Sequence, residues 1–341
     1  MTKRTQGKRP TQTDVAQAAG VSQALVSYVL NGAQDVSVPE ETRQRILDAV
    51  AKLGYVPNRN ARSLRTNKSY ILASIIPDIT NPFYPELERG IQETAEQNGY
   101  GLMIYNTDGN DEKERNALQA VIQTRADGLI GTFFHRAAPD FQPLLESGTA
   151  IVLLENCARS SGDVPLDCLY VDNVRAARTA VEYLIGRGYR RIGTLAAREG
   201  PGKPRLAGYR QALALHGIDV DDTLVAYGDF MEESGYQGMR QLLQIEPPLQ
   251  AVFAANDMTA LGALLAIKEA GLSIPKDIAL IGFDDIALAR LVEPPLTTVT
   301  QFQRRVGQRA AEMLFERLAG TLQGGGRCEE MPFQLVIRRS A

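Results

Sequence analysis

From Tyr70 onward, short apolar, β-prone runs alternate with longer stretches whose apolar positions recur every three or four residues. Residues 71–76 read as a buried strand, 86–97 as an amphipathic helix, 102–105 as a strand, 112–124 as a helix and 128–134 as a strand. The alternation resumes with helix 178–186, strand 192–196, helix 206–216, strand 251–254, helix 258–270 and strand 279–282. Repeated β-α-β units require parallel sheets covered by helices on both faces. About 270 residues of this pattern suit two doubly wound subdomains rather than one.

The first 68 residues follow a different, purely helical period. Thr13 and Asp14 can cap a helix with Val15, Ala16 and Ala19 on its apolar face, and Gly20 stops it. Ser22 caps a second helix that buries Leu25, Val26, Val29 and Leu30. Two short helices joined through a tight turn containing Gly form a helix-turn-helix outline. A third helix opens at Pro39, carries a stripe of Ile46, Leu47, Val50 and Leu53, and ends at Gly54. A generic three-helix bundle would satisfy the same pattern. Beyond Pro57, however, Asn58–Arg65 can form two helical turns with Arg59, Arg62 and Arg65 every three residues around one exposed Leu64. So short a helix is marginal alone in water. A basic, conditionally helical linker can sit in a DNA minor groove with its Leu wedged between base steps.

Charge sharpens this division. The net charge of -3 separates into +6 over residues 1–68 and -9 over the remainder. Charge alone fits either a head that meets a polyanion or a solvated basic tail. The three cysteines, Cys157, Cys168 and Cys328, form no C-x-x-C pair and read as reduced, packed thiols. With only His135 and His216, no zinc site is expected, and no cofactor or other metal is implied. No run of 18 apolar residues exists, and the charged amino terminus lacks a signal-peptide core. The expected location is the cytoplasm, associated with the nucleoid, with no membrane partner.

The stretches "TQTDVAQAAGVSQALVSYVLNG", "VPEETRQRILDAVAKLGYVPN" and "ARSLRTNKSYILASIIPDITNPFY" resemble the LacI/GalR family of bacterial transcription regulators. The likeness runs from about Thr11 to Arg339. It implies an N-terminal all-α helix-turn-helix domain (1–57), a hinge helix or linker (58–69) and an α/β core (70–341). That core would hold two doubly wound parallel-sheet subdomains of the periplasmic-binding-protein-like type I. Their expected extents are about 70–172 with 301–328, and about 173–300 with 329–341. The second helix would enter the major groove, where Gln23, Ala24 and Tyr28 face bases. Gln can pair bidentately with adenine, and Ala can pack on a thymine methyl. Thr11, Ser22, Ser27 and Asn31 match phosphate-gripping positions. In the linker, Asn58, Arg59 and Arg62 complete the DNA-facing set. Leu64 matches the hinge leucine, and Ala61 the small residue at the helix crossing. Many relatives carry Arg where this chain has Tyr28; Tyr can contact a phosphate or stack, but cannot pair bidentately with guanine. Asn60 replaces a commonly apolar hinge residue.

In open parallel sheets, ligands bind beyond the carboxyl ends of the strands. The strand-end candidates are Asp78, Asn81, Phe83, Tyr84, Asn106, Asp108, Phe134, Glu155, Arg198, Asn256, Asp257 and Asp284. Each taken singly also fits a cap or turn role. The resemblance adds Arg205 as an effector anchor and Phe230 as a stacking residue. It also implies pocket roles for Phe83, Tyr84, Glu155, Asn256 and Asp284. Aromatic walls around Arg, Asn and Asp suit a sugar or sugar derivative, with a purine-like heterocycle as the alternative.

An enzyme is not expected. "GRGYRRIG" precedes a strand instead of following one, "GPGKP" fails the phosphate-loop pattern, and nothing supports Asp284–Asp285 as an acid–base pair. A free-standing solute-binding protein would not carry the basic head. The expected function is that of a sequence-specific DNA-binding regulator, a repressor under allosteric control by a small-molecule effector. Two-fold association would place two heads on a palindromic operator. The closing "QLVIRRSA" has no heptads, which favours a homodimer over a tail-assembled tetramer.

Overall fold

The computed structural model describes residues 10–31, 37–56, 68–154 and 164–341. The chain divides into two compact units, Met1–Ser69 and Tyr70–Ala341. The first contains α1 (Gln12–Ala19), α2 (Gln23–Asn31) and α3 (Glu40–Leu53) around Val15, Ala16, Ala19, Val26, Val29, Ile46 and Ala49. The cap of α1 is Thr11 rather than Thr13. Thr11 Oγ1 accepts from Asp14 N at 3.3 Å while the Asp14 carboxylate accepts from Thr11 N at 2.7 Å, a reciprocal capping box. Gly20 and Gly54 close α1 and α3 in left-handed conformations that glycine adopts without strain. Leu47, expected on the buried stripe of α3, is exposed. At 3.6 residues per turn, Ile46 and Ala49 share the inward face and Leu47 turns out of it.

The second unit contains β1 (Ile71–Ile76), β2 (Gly101–Asn106), β3 (Gly128–Thr132), β4 (Ala150–Leu154), β5 (Leu166–Val171) and β6 (Ile192–Ala197). It continues with β7 (Val225–Gly228), β8 (Ala251–Ala254), β9 (Ala279–Ile281), β10 (Thr298–Thr300), β11 (Cys328–Met331) and β12 (Gln334–Val336). Its helices are α4 (Phe83–Gln97), α5 (Asp111–Thr124), α6 (Gln142–Glu146), α7 (Asn173–Gly186), α8 (Gly202–Leu215), α9 (Glu232–Leu242), α10 (Asp257–Glu269) and α11 (Gln303–Leu318).

One parallel sheet has the order β11-β5-β4-β3-β1-β2 and a second the order β7-β6-β8-β9; β10 and β12 pair antiparallel. The chain passes between these lobes at 172, again at 301–302 and again at 332–333. In the first lobe α11 lies against α4, where Gly90 meets the Arg304 carbonyl and Gly307 the Leu87 carbonyl so closely that a Cβ at either would clash. Arg317 on α11 ties this helix to β5, donating to the fully buried Asp167 at 2.7 and 2.8 Å. The carboxyl terminus returns to the second lobe, where Leu280 N donates to Ser340 O at 2.8 Å. Cys168 is buried and Cys328 is disulfide-bonded, so the expectation of three reduced thiols does not hold.

Candidate functional site

The carboxyl ends of both sheets converge on a cleft of about 260 Å³ between the lobes. The first lobe contributes the turn after β1. Its Asn81 side chain accepts from Phe83 N at 3.1 Å just before α4, whose first residues Phe83 and Tyr84 pack edge-to-face with one another and line the cleft. Asp78 accepts from Thr80 N at 2.8 Å, and Asn106 accepts from Ile79 N at 2.7 Å, so the whole turn is anchored to the end of β2.

The opposite wall depends on a residue with no sequence signal. Glu114, buried on α5, accepts from Phe134 N at 2.7 Å, His135 N at 3.1 Å and the Arg136 guanidinium at 3.3 Å. His135 Nε2 donates to Gly109 O at 2.8 Å. These bonds fix the Phe134 ring against Gly109 and Gly200, both at positive φ; a Cβ on Gly109 would approach the ring to 2.9 Å. The ring thus touches the loop after β2 in one lobe and the loop after β6 in the other.

From the second lobe, Arg205 on α8 is 3% exposed. It donates from Nε to Asn173 Oδ1 at 2.8 Å and from Nη1 to Ala255 O at 2.7 Å. It also faces Asp284 Oδ1 at 3.5 Å, and its guanidinium lies 3.8 Å from the Phe283 ring centroid. Asn256 caps α10 through Oδ1, accepting from Thr259 N at 2.9 Å, and its Nδ2 donates to Phe230 O at 3.0 Å. Asp284 also accepts from Gln301 Nε2 at 2.8 Å. Three lining residues hold left-handed backbones, Asp108 (φ 51), Phe230 (φ 74) and Asp284 (φ 109), so strain collects at this site. Beside Asn256, the fully buried Asp257 is pushed well above the usual carboxylate range. Desolvation is the main cause and the charge of Asp284 the next.

Of the sequence-predicted effector residues, Asp78, Asn81, Phe83, Tyr84, Phe134, Arg205, Phe230, Asn256 and Asp284 all line this cleft. Glu155 lies outside the described residues. Pro77, Asp108, Gly109, Pro201, Asp229 and Met231 complete the lining. Arg198 is not part of it; its guanidinium stacks over Tyr227 at 4.3 Å. Among the described residues no His, Cys, Asp and Glu group could hold a metal ion.

On the separate helical unit, Thr11, Ser22, Gln23, Ala24 and Tyr28 are solvent-facing, and Ser27 is half-buried. Leu25 N donates to Ser22 Oγ at 3.2 Å, so α2 presents its capped first turn outward while Val26 and Val29 pack inward. Asn31 ends α2, though its side chain, like Asn58, Arg59, Ala61, Arg62 and Leu64, falls outside the described residues.

Residues 11–58 match the bacterial regulatory proteins of the lacI family, and residues 181–341 match a periplasmic binding protein-like domain. The HTH-type transcriptional repressor CytR of Escherichia coli (strain K12) is 36% identical over 335 residues, covering 97% of this chain and 96% of that protein. The chain belongs to the LacI family.

Members of the LacI family are DNA-binding transcriptional repressors, not enzymes. Among solved structures, the Lac repressor dimer bound to operator and the anti-inducer ONPF superposes with a TM-score of 0.83. It is 28% identical and covers 98% of this chain and 99% of that one. The transcriptional regulator CelR–cellobiose complex has a TM-score of 0.73 at 32% identity, covering 98% and 100%. The LacI-family fold here is therefore a helix-turn-helix domain followed by a type I periplasmic-binding-protein-like α/β core. No helix among the described residues is long and apolar enough to cross a membrane.

Proposed function

We propose that this LacI-family protein is a cytoplasmic repressor that binds palindromic operator DNA as a homodimer and is switched by a small neutral ligand in the cleft. Residues 1–57 would read the operator, 58–69 would form the hinge, and the two lobes from 70 to 341 would close on effector. The observation that carries this reading is the convergence of aromatic and polar side chains from both lobes on one cleft. Its walls, Phe83, Tyr84, Phe134 and Phe230, suit the faces of a ring, while Asn81, Asp78 and Asp229 supply acceptors for hydroxyl or amino groups. Arg205 is already bonded to Asn173, Ala255 and Asp284, so its charge is balanced inside the protein and does not call for an anionic ligand. A sugar or sugar derivative fits this chemistry best, in keeping with the cellobiose complex of CelR. The four aromatic walls also favour a purine-like heterocycle or nucleoside as the second reading.

A ligand that spans the cleft contacts both lobes, and so binds the closed arrangement better than an open one. On α2, Gln23 and Ala24 would read base edges, with Thr11, Ser22, Ser27 and Asn31 gripping phosphates. A thermal-shift screen of neutral sugars and nucleosides tests the cleft. A saturable rise for a member of either class, lost in Phe230→Ala, supports it; a hit that survives that substitution refutes the assignment.

A further inference from the structure

Asp284 lines the cleft, and its neighbour Asp285 lines a second hollow of about 580 Å³. This hollow is walled by Glu86 on α4, by Arg290, and by Phe302, Arg304 and Arg305 at the start of α11, with Arg338 beyond β12. Its side chains carry four guanidinium groups against two carboxylates, within a body whose net charge is -9. Arg338 is neutralised by Asp285 at 2.5 Å and Arg304 by Glu93. Arg290 and Arg305 are exposed, and their side chains make no ion pair or hydrogen bond among the described residues.

Two like charges left unpaired beside two more guanidinium groups are electrostatically unfavourable. The first turn of α11 adds to the cost, because it contains no acidic residue and no side-chain cap, so Arg304 and Arg305 face the positive end of the helix dipole. A guanidinium fork is matched in geometry by the oxygens of phosphate and carboxylate groups. The volume lies within the ~300–1,000 Å³ usual for small-molecule sites.

We infer that this hollow is a second ligand site, taking a small multivalent oxyanion held by Arg290 and Arg305. The cleft is not an equivalent host for such a ligand. Asp78, Asp108 and Asp229 line it in addition to the paired Arg205 and Asp284, so an oxyanion is repelled there.

The test is isothermal titration of the full-length protein with inorganic pyrophosphate and, separately, citrate, with ionic strength held constant by NaCl. Saturable binding of at least one probe is expected, weakened about tenfold or more in Arg290→Gln/Arg305→Gln. The basic head is untouched in that variant, so binding that persists unchanged in it comes from the head and overturns the inference. Binding of neither probe, or capture of an acidic peptide with no small anion bound, also overturns it. Both arginines are exposed and unpaired, so the variant should melt like the wild type without anion. If it does not, Arg290→Lys/Arg305→Lys replaces it, keeping the charge but losing the fork. Weaker binding is then the expected result and unchanged affinity the contrary one.

Discussion

Replacing Arg205 with Leu removes the group that joins the start of α7, the end of β8 and Asp284 at the cleft's second-lobe wall. Two charge-assisted hydrogen bonds disappear, those of 2.8 Å to Asn173 and 2.7 Å to Ala255 O, together with the 3.5 Å approach to Asp284. Each bond to a charged group is worth about 1.5–3 kcal/mol, but the terms are not additive. The dominant cost is the loss of the Arg205 charge from beside the Asp284 carboxylate, itself 3% exposed. Breaking one partner out of a buried pair costs about 3–5 kcal/mol. In urea unfolding followed by circular dichroism, Arg205→Leu should lose stability in that range. The double variant Arg205→Leu/Asp284→Asn should recover part of the loss, because Asn leaves no charge and tolerates the positive φ at this position. A single variant within about 1 kcal/mol of wild type, or a double variant no better than the single, would refute the reasoning.

Glu88, buried on α4 and accepting from Ser74 Oγ at 2.6 Å, has its carboxyl pushed up by burial from the usual 4.5 to about 7. Between pH 4.5 and 7 the native state keeps a proton that the unfolded chain has lost, so stability falls as pH rises through that window, by about 3 kcal/mol in all. Glu88→Gln should flatten that part of the stability–pH profile and exceed wild-type stability at pH 8; parallel profiles would contradict the assignment. Gln23→Ala should weaken operator binding by about 1–3 kcal/mol and relax preference at one base pair, read by anisotropy against a base-substituted operator series. Loss spread evenly over all sequences would mean that Gln23 touches only phosphate. The logarithm of operator affinity should fall steeply and linearly with the logarithm of salt concentration, and a flat dependence would contradict a +6 head on DNA.

The elements most legible in the sequence are those with a clear period and a stop signal. Strand Ile71–Ile76 and strand Ala251–Ala254 occur where the apolar runs place them. Helix Phe83–Gln97 begins three residues earlier than its amphipathic pattern, because the turn before it, where Asn81 Oδ1 accepts from Phe83 N, leads directly into it ahead of Pro85. Helix Gly202–Leu215 likewise begins inside the "GPGKP" stretch, which composition marks as loop. Strands Ala150–Leu154 and Leu166–Val171 carry no alternation that would announce them, since nearly every residue is buried on both faces of the sheet. Cleft residues at strand ends were legible because parallel topology dictates where ligands go. Glu114 was not, for "DEKERNALQAVIQT" reads as a solvated acidic helix start, and only the fold turns that one carboxylate inward to hold the Phe134 loop. Asn173 is similar: its bond to Arg205 spans 32 residues, and no local pattern encodes it.

The central claim is that occupancy of the cleft changes how the head holds DNA. Its most direct test is operator affinity of the full-length protein, by fluorescence anisotropy, with and without the neutral ligand that stabilises it most in the screen. A change of about fivefold or more is expected, matched by an equal change in ligand affinity when operator is present, and abolished in Phe230→Ala. An operator affinity unaltered by saturating ligand would contradict it.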